Sequence, residues 1–123
     1  MNGKKTTQVL ALVAGMISLA LAGQAAAHAK LVSGDPAENA TVATPKTITL
    51  HFNEKLVPRF SGLDLMKADG SMVAVKKATS KDTKAVTITV PTALTAGTYM
   101  VMWHAAAADD GHRTKGQYNF TVR

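Results

Sequence analysis

From Ala29 onward the chain alternates apolar and polar residues in short runs. In KTITLHF (46–52), Ile48, Leu50 and Phe52 fall on one side, and Thr47, Thr49, His51 and then Asn53 on the other. That period of two marks a half-buried β-strand. AVTITV (85–90) is β-branched and alternating, and Pro91 closes it. TYMVMWH (98–104) sets Tyr99, Val101 and Trp103 on one face, and GQYNFTV (116–122) does the same with Tyr118, Phe120 and Val122. SGLDLMK (61–67) and SMVAVKK (71–77) meet at Asp69-Gly70, which predicts a hairpin. With AKLVSG (29–34), the pattern predicts seven short strands and no sustained helix. Seven such strands imply an all-β fold, an antiparallel β-sandwich of immunoglobulin-like architecture. Trp103, Tyr99, Phe120, Leu50 and Phe52 are the expected core.

The first quarter of the chain breaks this pattern. Lys4 and Lys5 precede Val9 to Ala22, fourteen residues that are apolar apart from Gly15 and Ser18. A helix needs about twenty such residues to span a bilayer. A basic start, a short apolar run and small residues at Ala25 and Ala27 are the parts of a secretory signal peptide. Residues 1–27 are therefore expected to be cleaved, rather than kept as an anchor. His28 then becomes the first residue of a single mature domain, residues 28–123, not embedded in a membrane.

Removing Lys4 and Lys5, and no acid, lowers the net charge from +6 to +4. The remaining lysines are spread along the chain, and only six aromatics remain with which to stack bases, so nucleic-acid binding is not expected. Exported domains of this size often rely on disulfides. The chain has no cysteine, so its core must hold alone or with help from a bound ion.

A chain that begins with histidine offers unusual chemistry. The free α-amine and the imidazole Nδ1 of one residue can close a chelate ring on a metal, and Cu²⁺ tops the affinity order for nitrogen and oxygen donors. DDGHRTKG (109–116) joins two strands and contains Asp110-Gly111-His112. Asp-Gly there reads first as turn chemistry. If the glycine bends the backbone, however, Asp110 and His112 can face one ion. With His28 they supply three nitrogens and one carboxylate oxygen, a tetragonal set suited to Cu²⁺. The absence of a thiolate excludes a blue-copper site.

HAKLVSGDPAENATV, ITLHFNEKL and YMVMWHAAAADDGHRTKGQYNFTV resemble the copper-resistance protein C (CopC) family over nearly all of residues 28–123. The resemblance implies a seven-stranded Greek-key sandwich or barrel and a periplasmic, monomeric Cu(II) carrier or buffer. It implies copper ligation by the amine and imidazole of His28 with Asp110 and His112. Glu54, in FNEKL, matches a family acidic residue near that site and would be an accessory group. An inner-membrane copper-transport protein would be the partner, and no enzyme activity is implied. Some family members hold Cu⁺ in a second, methionine-dense loop that includes a histidine. The corresponding segment here has only Met66 and Met72 and no histidine, so that site is not carried over.

Two readings from other classes stay open at this stage. An N-terminal histidine with a second histidine also makes the brace of a small copper oxidoreductase. The sandwich could instead be a metal-free interaction module. Periodicity adds that Met100, Met102 and His104 share the face opposite Trp103, where thioethers would suit Cu⁺ but a partly covered sheet face with a solvated histidine is the stronger reading. His51 is expected at the surface.

Overall fold

Two sheets carry the alternation into three dimensions. The structure is a computed structural model that describes residues 28–123, and the expected signal peptide with its cut site lies outside them. The strands are β1 (Leu31–Asp35), β2 (Thr41–Val42), β3 (Thr47–Phe52), β4 (Gly62–Lys67), β5 (Met72–Val73), β6 (Lys76–Ala78), β7 (Ala85–Thr89), β8 (Gly97–Ala106) and β9 (Arg113–Val122). One 3₁₀ turn, Pro58–Phe60, precedes β4. The first sheet runs β1-β3-β7-β6 and the second β2-β9-β8-β4-β5. Every pairing is antiparallel except that of β2 with β9.

The sandwich architecture matches expectation, but it has nine strands where the pattern predicted seven. Thr41–Val42 forms a two-residue parallel strand against Thr121 and Val122. The segment 71–77, read as one strand, divides. Met72–Val73 pairs with β4, and Lys76–Ala78 pairs with β7 in the opposite sheet. Val73 and Val75 both pack against the core, so the alternation continues unbroken while the hydrogen-bonding partner changes.

The inner faces meet in one apolar core. Ile48, Leu50, Leu65, Tyr99, Val101 and Phe120 are almost wholly buried, each stabilising the fold by roughly 1.5–3 kcal/mol relative to exposure. Tyr99 and Phe120 are directly opposite across β8 and β9, with ring centroids 5.8 Å apart. Trp103, expected in the core, is only partly buried. Its indole packs edge-on against Phe52 at 5.3 Å and lies over Gly116, the residue opposite it on β9. A Cβ on Gly116 would sit 2.5 Å from the ring, so the glycine makes room for the indole. Tyr118 donates a 2.8 Å hydrogen bond to the Pro36 carbonyl, and burial, with Asp35 and Glu38 nearby, pushes its phenol up to about 12.

The two longest strands, β8 and β9, pair from Gly97↔Val122 to Ala106↔Arg113. Their connecting loop, 107–112, projects from one end of the sandwich. The loop after β3 lies against it: Val57 N donates to Ala106 O, Ala108 N donates to Lys55 O, and Leu56 bridges Ala107. Ala105, Ala106 and Ala107 are buried, and their small side chains permit this approach. Ser61, also buried, ties the same corner by donating to Val57 O and accepting from Ala106 N.

Candidate metal centre

His28 and His112 are 84 positions apart in sequence, and the fold stacks their imidazoles with centroids 4.0 Å apart and planes 7° from parallel. Each ring is delivered by a separate device. The segment 28–30 is pinned through all three of its carbonyls. Asn53 Nδ2 donates to His28 O at 3.5 Å, Thr114 Oγ1 to Ala29 O at 2.9 Å, and Asn53 N to Lys30 O at 3.1 Å. Lys30 N completes the clasp by donating to Asn53 Oδ1 at 2.7 Å. Ala29 is buried beneath it. His28 is thereby fixed against β3 and β9 immediately before β1 begins.

His112 comes from the β8–β9 loop. Gly111 N donates to Ala107 O at 2.9 Å and Ala107 N to His112 O at 3.0 Å, which closes the loop tightly. Gly111 has φ of 72°, a left-handed conformation that glycine adopts without steric cost. Asp110 Oδ1 accepts the His112 N–H at 2.9 Å. That is an Asx turn, and it sets the direction in which the histidine leaves the backbone.

The four residues singled out from sequence therefore divide. His28 and His112 are in contact. Asp110 is spent in part on the turn, which leaves Oδ2 for another partner. Glu54 is half-buried beside Asn53, at the same end of the sandwich. Among the described residues no three His, Asp or Glu side chains converge as a cation cluster. The donor chemistry fits a nitrogen-preferring ion, with one adjustment. Imidazole lone pairs lie in the ring planes, so two parallel rings do not aim at one point. One ring must rotate for both to bind the same ion.

Sequence reasoning did not single out Asn53 and Thr114, which hold the first residues down. An asparagine just past a strand, or a threonine on one, is too common to signal this role. It also did not foresee that the guanidiniums of Arg59 and Arg113 each lie over the Phe60 ring, 4.8 Å from its centroid. Arg113 follows His112 directly in sequence, and its guanidinium lies over the Phe60 ring. His51 is exposed as expected, with Nδ1 3.8 Å from Asp82 Oδ2.

Residues 31–123 match the CopC domain. The chain belongs to the CopC family. Its CopC relatives include copper resistance protein C of Pseudomonas syringae pv. tomato, 43% identical with 97% of each chain covered. Copper resistance protein C of Xanthomonas campestris pv. juglandis is 40% identical over 88% of this chain and 91% of its own. Among solved CopC structures, PcoC, titled a methionine-rich copper resistance protein from Escherichia coli, superposes with a TM-score of 0.72. It is 39% identical and covers 79% of this chain and all of its own. CopC from Methylosinus trichosporium OB3b gives 0.70 at 30% identity, covering 77% and 93%. The β-sandwich is thus the CopC fold.

Proposed function

We propose that the protein is an exported Cu(II) carrier or buffer that binds its cargo at the end of the sandwich where His28 and His112 meet. The carrying observation is the stacked pair of imidazoles, pinned from both sides. The names of its relatives, copper resistance proteins, support copper as the cargo. His28, once first in the chain, contributes its α-amine and its imidazole. His112 contributes a third nitrogen after rotating its ring, and Asp110 Oδ2 a neutralising oxygen. Glu54 is an accessory acid at the rim. A set of nitrogens and one carboxylate selects Cu²⁺ over the other divalent first-row ions.

The role of the rest of the fold is to make this set affordable in entropy. Asn53 and Thr114 hold the terminal backbone that would otherwise fray, and the Asp110 turn holds the loop. Only side-chain rotations remain for binding. The periplasm is the proposed location, with an inner-membrane copper-transport protein as the partner. Among the described residues no helix is long and apolar enough to cross a membrane.

Mass spectrometry of the exported protein, with and without Cu²⁺, tests the first residue and the metal count together. We expect a chain starting at His28 with one ion bound. A variant exported with a single glycine before His28 should keep the fold and lose the chelate, because its His28 nitrogen is then an amide. Equal Cu²⁺ affinity in the two forms overturns the proposed ligation.

A further inference from the structure

Phe60 is a large apolar side chain left in solvent, 41% exposed, with two arginines lying over its ring. The fold assembles this cluster at one corner. The turn Pro58–Phe60 hangs between Val57 and Ser61, and both of these bond Ala106. Val57 N donates to Ala106 O at 2.9 Å, and Ser61 Oγ accepts from Ala106 N at 3.0 Å. Ala106 is directly opposite Arg113, the first residue of β9. The turn buries none of its own residues, so Arg59 and Phe60 project from the corner. Thr114 bonds Ala29 O on the inner side, so Arg113 and Lys115 face outward. Each guanidinium is 4.8 Å from the Phe60 centroid, so the two are no farther apart than twice that distance.

We propose that Arg59, Phe60 and Arg113, with Lys115 at the next outward position of β9, form a docking surface for an acidic segment of a partner protein. A guanidinium over a ring is held by the negative face of the aromatic. Its planar fork of N–H donors still matches a carboxylate. Neither arginine has a carboxylate partner among the described residues, where the one ion pair is His51 with Asp82. Two cations already placed over one ring leave little side-chain ordering for binding to impose. Phe60 adds apolar contact, and arginine and phenylalanine are both enriched at protein interfaces. The net positive charge of the chain steers an acidic partner toward it.

A polypeptide suits this surface better than an anionic membrane. Asp64 is exposed on the outer side of the same sheet, and Asp109 and Asp110 are exposed on the adjoining loop. A broad, uniformly negative plane would meet these carboxylates as well as the arginines. Phe60 is also a single ring, and anchoring in lipid scales with the apolar area buried. The surface uses none of the proposed copper ligands, so its occupancy needs no metal.

The test titrates the exported protein with a synthetic peptide of glutamates flanking leucines. A chelator is present throughout, so the result does not depend on copper. Amide shifts in nuclear magnetic resonance map the contact, and anisotropy of the labelled peptide gives the affinity. Shifts should centre on Arg59, Phe60 and Arg113, and affinity should fall as salt rises. Arg59→Glu with Arg113→Glu should weaken binding by about tenfold or more. Lys46→Glu with Arg123→Glu makes the same charge change away from this corner, before β3 and after β9, and should stay near the parent. Phe60→Ala keeps both charges and should still weaken binding. All five side chains are exposed, and denaturant unfolding checks that each variant folds. No binding by the parent overturns the surface, as do shifts centred elsewhere or equal losses in the two charge-reversed variants. Capture by phosphatidylglycerol vesicles that needs Arg59 and Arg113, without peptide binding, would assign the corner to a membrane and equally overturn it.

Discussion

Two turns in this molecule are built alike. Asp69-Gly70-Ser71 links β4 to β5, and Asp110-Gly111-His112 closes the loop between β8 and β9. In each, the aspartate Oδ1 accepts the N–H two residues on at 2.9 Å. In each, the glycine is left-handed, with φ of 87° and 72°. They differ in the third side chain. Ser71 turns back and donates its hydroxyl to the same Asp69 oxygen at 2.6 Å, so the turn satisfies itself. His112 leaves its turn and stacks on His28. One local geometry serves as plain punctuation in one place and, in the proposed site, as a ligand mount in another. What decides between them is the residue in the third position and the segment that the fold sets opposite it.

The largest expected contrast is in Cu²⁺ binding. Changes to groups that merely orient a metal ligand typically cost about 10–100-fold in affinity, and removing a ligand should exceed that. His112→Ala should therefore lower Cu²⁺ affinity beyond that range and alter the nitrogen hyperfine pattern in electron paramagnetic resonance. Ser71→Ala should change neither. Matching effects from the two variants would erase the distinction between the turns.

The glycines sharpen it. Gly70→Ala and Gly111→Ala each force a Cβ into the left-handed region, at a cost of roughly 1–2 kcal/mol. Denaturant unfolding should show similar losses for both. Only Gly111→Ala should also weaken Cu²⁺ binding, because it moves the mount. Were Gly70→Ala to weaken copper equally, global destabilisation would explain both, and the loop would have no special part.

The smallest contrast is in acid. The Ser71 hydroxyl and amide bonds hold the Asp69 carboxyl below its ordinary value of 3.8, with burial opposing slightly and Lys67 adding a little. A carboxyl lowered in the folded state stabilises fully above its unfolded value, and that contribution fades as pH falls through the folded one. The Asp69 titration followed by nuclear magnetic resonance should have its midpoint below 3.8 in the parent. Ser71→Ala should move the midpoint upward, and an unmoved midpoint would deny the hydroxyl its role.

Periodicity made much of this architecture legible. The alternations at 46–52 and 85–90 became β3 and β7, and Ile48, Leu50 and Phe52 are inward as the pattern sets them. It missed Thr41–Val42 because two residues carry no period and their partner, β9, lies some eighty positions away. It merged β5 with β6 because period reports which face a residue takes, not which strand it bonds. Val73 and Val75 keep the same inward face across the change of sheet. Trp103 was expected in the core and lies at its margin, since an indole resting on Gly116 depends on a cross-strand pair. At the candidate site, the Asp110 turn was readable locally. Its meeting with His28 is a property of the whole fold, and the expectation of it came from donor chemistry and family resemblance, not from any local pattern.

The clasp on residues 28–30 places His28 between two unrelated kinds of selection. Ala29 is 1% exposed and its carbonyl is held by Thr114, so packing demands a small side chain just after the histidine. The expected cut after Ala27 demands small side chains just before it, through the shape of a peptidase groove and not through this fold. A histidine bracketed by alanines thus satisfies two readers that never act together, one before the chain folds and one after. A drift of the cut by a single residue in either direction would leave a stable, well-packed sandwich. Shifted upstream, it would turn the His28 nitrogen into an amide; shifted downstream, it would remove the histidine. Quality control that inspects folding would pass both products, so the fidelity of the metal site would rest on processing accuracy alone.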